Sequence, residues 1–506
     1  MQRATNIRTP VRRLHTLVRS LTTMSIGREK VSAIVIGSGQ AGTPLAVALA
    51  NAGRSTVLIE RANLGGTCVN VGCTPTKTMI ASGRIAHLAG RASEYGIFQC
   101  AIGDGIVTVA QMDRIRERKR EIVQRWRSGS EKRVAGVKGL EVIKGEARFV
   151  TEKVVKVVSE LGISEKEIEA DEIFINVGER PAASDLQGLE TVDASRVLNS
   201  TSIMELDVIP QRLLVLGGGY IGMEFGQLFA RLKSKVTIVQ RGKQLLPRED
   251  AEIAQAVQDI CQEDGIDVIL NATATKVSAT GANNKEIQLD YQTSDGTLHQ
   301  TSGSHLLIAT GRTPNTDSLN LSAAGVDTTS RGHVVVEPDL QTNVPGIYAL
   351  GDCHGGPAFT HVSYDDFRII RTNLIDKAAR PTSTMQRDGQ VPYVVYTDPQ
   401  LGHVGLHEGE ARKKFLDRQV KTATMPIGYV ARAVETAETR GLMKAVVDAE
   451  SGAILGFTCL GIEGGEIMSL VQVAMMGGLP YWKLRDAVFA HPTLAESLNN
   501  LWGYLK

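Results

Sequence analysis

The chain has 506 residues, 22% of them charged and 42% hydrophobic, with a formal net charge of +1. That length implies about two to four domains with sizeable cores, and the charge balance excludes a dedicated nucleic-acid binder. Six cysteines are too few for a disulfide scaffold, and no apolar run approaches the ~20 residues of a membrane span.

In chain order, residues 1–28 come first. They contain no Asp or Glu and carry Arg3, Arg8, Arg12, Arg13, Arg19 and Arg28 among Ser and Thr. This is the composition of a mitochondrial-type transit peptide, with a disordered basic extension as the alternative. Translation from Met24 would leave a cytoplasmic form without the leader.

Residues 31–36 read as a buried strand, followed by Gly37-Ser38-Gly39-Gln40-Ala41-Gly42 and an apolar helix from Thr43 to Ala52. A second strand, Ser55 to Ile59, ends in Glu60. This order defines a dinucleotide-binding unit. Gly37 permits the turn, Gly39 the approach of a pyrophosphate, and Gly42 close helix–strand packing, while Glu60 is placed for ribose hydroxyls. The helix N-terminus offers free N–H groups to the phosphates.

Between this unit and the next lies Gly65-Gly66-Thr67-Cys68-Val69-Asn70-Val71-Gly72-Cys73-Thr74-Pro75-Thr76-Lys77. Five residues along an ideal helix separate Cα atoms by about 8.7 Å, beyond the ~7 Å limit for a disulfide. A bond between Cys68 and Cys73 therefore requires a distorted segment, with Gly72 as the relief point. A redox-active disulfide fits this framing. A zinc site would need two further clustered ligands, so no metal site is expected. Two inert buried thiols are the remaining reading.

The dinucleotide pattern then recurs, with a strand from Leu213 to Leu216, Gly217-Gly218-Gly219-Tyr220-Ile221-Gly222, a helix from Met223 to Leu232 and a strand from Lys235 to Val239. Here Gln240 replaces the terminal acid, followed by Arg241 and Lys243. Loss of the carboxylate and gain of Arg favour a 2′-phosphate, hence NADPH, with NADH as the alternative. Two units with different endings point to a resident flavin and an exchanging nicotinamide.

The cysteine segment resembles the active-site signature of the flavin disulfide reductases, the class I pyridine nucleotide-disulfide oxidoreductases. Cys73-Thr74-Pro75-Thr76-Lys77 and Gly355-Gly-Pro-Ala-Phe-Thr-His-Val-Ser-Tyr-Asp-Asp366 are most similar to the branch holding mercuric reductase, with dihydrolipoamide dehydrogenase nearby. The resemblance runs from about residue 30 to the C-terminus. It implies an α/β fold of two Rossmann-like domains and a C-terminal α+β dimerisation domain. The FAD domain would span 29–180 and 312–385, the NAD(P)H domain 181–311, and the interface domain 386–506. Strands read there at 391–396, 402–407, 420–427, 442–448 and 453–460, with a helix over Gly464 to Met476.

The resemblance also implies roles. Cys73 would be the charge-transfer thiol beside the flavin and Cys68 the interchange thiol. Lys77 and Glu224 would form a pair beside the ring, and Tyr220 would cover the nicotinamide pocket. Thr67, Ala147, Gly178, Gly311, Asp352, Thr360 and His361 would complete the FAD site. Gly217, Gly219, Gly222 and Arg241 would serve the nicotinamide dinucleotide. His491, oriented by Glu496, would be a general base supplied by the partner in a homodimer, so that a monomer is inactive. Electrons would pass from NADPH through FAD and the Cys68–Cys73 pair to a small disulfide, a metal ion or a quinone-type acceptor. Dihydrolipoamide dehydrogenase or glutathione-reductase-type turnover, a diaphorase bypassing the disulfide, and a redox sensor without turnover are the alternatives. The chain departs from mercuric reductases in having no cysteine after Cys459. Cys100, Cys261 and Cys459 read as structural, Cys353 as buried beside Asp352, and the basic stretch from Arg114 to Arg127 as a solvated helix face.

Overall fold

The computed structural model describes residues 28–97, 110–159, 162, 164–415 and 420–506. The leader read over 1–28 lies outside this set apart from Arg28, as does Cys100. The first dinucleotide unit forms β1 (Glu29–Ile36), α1 (Gly42–Asn51) and β2 (Thr56–Glu60). β1 and β2 pair in parallel, with Ala33 opposite Thr56 and Ile36 opposite Ile59. Helices cover such a sheet on both faces, which explains the unbroken apolar runs.

Two helices, α2 (Gly66–Asn70) and α3 (Cys73–Gly90), carry the cysteines. The break between them falls at Val71–Gly72, where the sequence placed its relief point; a Cβ on Gly72 would meet the Thr67 carbonyl oxygen at 2.8 Å. α4 (Met112–Val134) follows. The reading of its basic stretch as a solvated face holds for Arg114, Arg118, Arg120 and Arg125, which are exposed, and fails at Lys119. Lys119 is buried in an ion pair with Glu205, Arg118 donates to the Thr78 carbonyl at 2.9 Å, and Arg127 donates to Asn70 Oδ1 at 2.8 Å. Arg118 and Arg127 brace the cysteine-bearing helices, and such long stems allow one face to be both basic and packed.

The first sheet is completed by β3 (Leu140–Lys144), β4 (Glu146–Thr151), β5 (Val154–Val158) and β6 (Glu165–Ile175), in the order β3-β2-β1-β6-β5-β4. β7 (Glu179–Pro181) then leaves for the second sheet. That sheet is built from β8 (Val197–Leu198), β9 (Arg212–Leu216), β10 (Lys235–Val239), β11 (Asp267–Ile269) and a later strand, with α5 (Tyr220–Arg231) and α6 (Ala251–Glu263) as its helices. α5 begins at Tyr220, three residues before the expected Met223, so its first turn abuts the glycine loop. β12 (Ala272–Thr280), β13 (Glu286–Thr293) and β14 (Leu298–Gly303) form a separate antiparallel sheet. β15 (His305–Ile308) pairs with β9 and β8, giving the order β11-β10-β9-β15-β8. β16 (Arg312–Pro314) crosses back against β7, and β17 (Ile347–Ala349) rejoins β6.

α7 (Thr360–Ile370) leads into a five-stranded antiparallel sheet. Its members are β18 (Tyr393–Val395), β19 (Gln400–Gly405), β20 (Val420–Pro426), β21 (Leu442–Asp448) and β22 (Ile454–Gly461). α8 (Glu408–Lys414) and α9 (Ala431–Glu435) lie between strands, and α10 (Gly464–Met476) packs across β19 and β22. The five strands fall within a few residues of their expected positions, and α10 has the expected bounds.

Candidate active site

One cavity of about 1690 Å³ connects the first dinucleotide unit, the cysteines, the start of α5 and the β18 segment. It exceeds the ~300–1,000 Å³ of an ordinary small-ligand site and suits an extended dinucleotide. Gly37, Gly39, Glu60, Ala147, Gly178 and Asp352 line one part of it. Gly37 adopts φ +99°, and a Cβ on Gly42 would lie 2.0 Å from the Gly37 carbonyl oxygen. Gly217 and Gly222 repeat this, with φ +104° and a 1.9 Å clash. A Cβ on Gly219 would meet nothing within 4 Å, so that glycine keeps a backbone face open to a phosphate.

The ends of β2 and β10 are built alike. Glu60 Oε2 accepts from Ser38 N at 3.0 Å and from Ser38 Oγ at 2.6 Å, and its Oε1 accepts from Ala62 N at 2.8 Å. Gln240 Oε1 accepts from Gly218 N at 3.0 Å. Glu60, read from sequence as a ribose acceptor, thus also anchors its own glycine loop. The amide of Gln240 performs the same anchoring without charge. Arg241 and Lys243 stand exposed beyond it, as a 2′-phosphate partner requires, and Arg241 is outside the cavity wall. The residues present fit a flavin dinucleotide in the first unit and a nicotinamide dinucleotide in the second.

Cys68 and Cys73 both line the cavity, Cys68 half-buried and Cys73 exposed. Cys73 opens α3, where the helix N-terminus favours a thiolate. A hydrogen bond from Cys68 brings the Cys73 thiol down from its ordinary 9.0 to about 6, helped by Thr360 and Lys77 and opposed by burial. The same hydrogen bond, together with burial, drives the Cys68 thiol upward. The pair is therefore asymmetric, with the anion on Cys73 and the proton on Cys68. Thr360 Oγ1, at the start of α7, lies 3.4 Å from Cys73 Sγ. His361 donates from Nε2 to the Pro392 carbonyl at 2.7 Å, and burial lowers its pKa.

Lys77 Nζ reaches Glu224 Oε2 at 2.7 Å and Oε1 at 3.0 Å, joining α3 to α5 beside the sulfurs. Burial works against the Lys77 ammonium, but Glu224 outweighs it and raises its pKa. Sequence reasoning missed the rest of this group. Tyr396 N donates to Glu224 Oε1 at 2.9 Å, and the Tyr396 ring centroid is 5.0 Å from Lys77 Nζ. Tyr220 stacks on Tyr393 at 5.4 Å and on Phe359 at 6.4 Å. Only the adjacency of tyrosines to a strand flanking the site hinted at them. Removing the cation in Lys77→Met leaves Glu224 buried and uncompensated. The variant is expected to lose about 3 kcal/mol of stability by urea unfolding; a loss below about 1 kcal/mol would show the pair to be idle.

Burial pushes the Asp352 carboxyl up, with Glu179 adding and Arg312 opposing. Thr67 and Gly311 also border the cavity. His491 does not. Its side chain is 72% exposed on the C-terminal segment, and Nδ1 meets Glu496 Oε2 at 2.9 Å. The orienting pair is therefore formed within one chain, with the imidazole facing outward. Cys353 is fully buried, held against the Leu350 carbonyl at 3.3 Å, and burial pushes it to about 12. Cys261 and Cys459 are buried likewise.

Residues 31–366 match the family model described as pyridine nucleotide-disulphide oxidoreductase, and residues 391–501 match that family's dimerisation domain. The probable pyridine nucleotide-disulfide oxidoreductase RclA of Escherichia coli (strain K12) is 37% identical over 94% of this chain and 100% of its own length. A mercuric reductase of Lysinibacillus sphaericus is 36% identical, covering 94% of this chain and 82% of that protein. A dihydrolipoyl dehydrogenase of Haloferax volcanii is 32% identical over 92% and 94% respectively. The solved HOCl-induced flavoprotein disulfide reductase RclA from Escherichia coli superimposes with a TM-score of 0.82 at 35% identity, over 94% of this chain and 100% of that one. Its Cu(II) complex gives a TM-score of 0.83 at 35% identity, over 94% of this chain and 99% of that one. This chain belongs to the pyridine nucleotide-disulphide oxidoreductases, enzymes that use FAD and NAD(P)H.

Proposed function

We propose that this chain oxidises NADPH and delivers the electrons through Cys68 and Cys73 to a thiophilic metal ion, ahead of a small disulfide or a quinone. The observation that carries the reading is the polarised thiol pair in the dinucleotide cavity, with the anion on Cys73 and Lys77–Glu224 alongside. FAD, when bound, supplies two-electron storage between the nicotinamide and the sulfurs. Gly37, Gly42, Glu60 and Asp352 would hold it, while Gly217, Gly219 and Arg241 would hold the nicotinamide dinucleotide.

The chain's own work lies in the thiols. Cys68, once deprotonated, and Cys73 form their disulfide while two Cu(II) ions become Cu(I), and the Cys68 proton leaves to a base. Among the described residues the cysteines outside the pair are buried, so the ion must be met at the pair itself. Cu(II) is the ion in the complex of the Escherichia coli relative. His491 of a second copy would take the proton, and exposed Val473, Met476 and Val488 on the same domain offer the apolar surface of such a dimer.

Anaerobic consumption of NADPH and NADH, each with Cu(II), a small disulfide and a quinone as acceptor, tests the reading. NADPH with Cu(II) should be fastest, and Arg241→Ala should raise KM for NADPH about tenfold with little effect on NADH. Faster turnover with NADH, or with the quinone, would replace this reading.

A further inference from the structure

Behind the aromatic stack lies a second group of metal-competent side chains. Glu249 precedes α6, His403 is on β19, and His407 caps α8. One ligand atom from each lies within 4.8 Å of the others. Glu249 and His403 are buried, at 5% and 2% exposure. The two imidazoles stack with centroids 3.9 Å apart.

Glu249 uses only half of its carboxylate. Oε1 accepts from the Tyr393 hydroxyl at 2.7 Å. Oε2 is buried and has no hydrogen-bond partner, and neither has the buried Nδ1 of His407. Unpartnered buried polar atoms are costly, and a carboxylate oxygen and an imidazole nitrogen left without partners in one cluster suit a positive centre. His403 Nε2 donates to the Gly405 carbonyl at 3.1 Å, the carbonyl-oriented arrangement common in metal-bound histidines.

We propose that Glu249, His403 and His407 bind a divalent transition-metal ion of the Zn(II) class, at a site separate from the Cys68–Cys73 pair. Two imidazoles and one carboxylate suit such an ion, with a fourth position left for water or Tyr393. Coordination draws the donors in to about 3.3 Å from one another, from the ~2.0–2.1 Å arms of a tetrahedral site. His403 gives up its present bond to Thr458 Oγ1, so that Nδ1 ligates while Nε2 keeps the Gly405 carbonyl. A cation here fixes Tyr393 and, through their stack, Tyr220. The site escaped sequence reading because its donors come from two parts of the chain, 154 residues separating Glu249 from His403.

The test uses the FAD-loaded protein carrying Cys68→Ser and Cys73→Ser, so that the redox thiols take no ion, with Zn(II) as the probe. Titration calorimetry should show one Zn(II) per chain. Adding Glu249→Gln or His407→Gln should each weaken binding by at least about tenfold while flavin content and metal-free melting temperature hold. Should either variant lose its flavin, His403→Asn takes its place. Absence of stoichiometric binding, or affinity unchanged by either substitution, would overturn the proposal.

Discussion

Cys73→Ser is expected to abolish the long-wavelength absorbance that follows two-electron reduction, and to cut acceptor turnover by roughly 10³-fold or more. Serine has no thiolate to place at the head of α3, so the helix dipole, Thr360 and Lys77 have nothing to stabilise. Cys68→Ser should have a different signature. Under the proposed function it would remove the group that meets the acceptor but leave the anion on Cys73, so turnover should fall while the band persists. In the unaltered enzyme the band should fade as pH falls through about 6, where Cys73 takes up its proton. The sign follows from a lowered pKa: the thiolate is present above it and lost below. A stopped-flow diode-array titration reads all three. Full turnover in the double variant would show that the sulfurs are bypassed.

His491→Ala should lower turnover by about 10²–10⁴-fold, the usual worth of a positioned acid–base group, with flavin reduction by NADPH unaffected. The His491–Glu496 pair faces outward from the chain that holds it, so under the proposed function its target sulfur would belong to another copy. Mixing the two inactive chains Cys68→Ser and His491→Ala under subunit exchange tests this. Half of the dimers are then mixed, and each mixed dimer has one intact site, so about one quarter of full activity returns. Activity that stays at the parental level would place the base within its own subunit.

Local patterns carried much of the architecture. The two glycine loops, the strands around them and the interface strands recur where alternation and turn residues put them, because backbone sterics there admit few alternatives. Gly72 was legible for the same reason, since two cysteines five apart cannot meet on an unbroken helix. The antiparallel sheet of β12–β14 was not read: β12 and β14 are rich in Thr, Gln and Ser, although β13 alternates buried Ile287, Leu289 and Tyr291 with polar residues. Tyr396 and Tyr393 were missed because their roles arise only when the β18 segment docks against α3 and α5. The stretch from Arg114 to Arg127 misled because a charge pattern does not reveal that Glu205, far along the chain, neutralises its buried lysine. Glu60 was half legible: its position was clear, its grip on Ser38 was not.

The matched anchors Glu60–Ser38 and Gln240–Gly218 separate scaffolding from selectivity. An amide oxygen and a carboxylate oxygen occupy the same acceptor position, so the loop is blind to the charge behind it. Coenzyme preference in the second unit can therefore drift through a single isosteric exchange without reshaping the pocket.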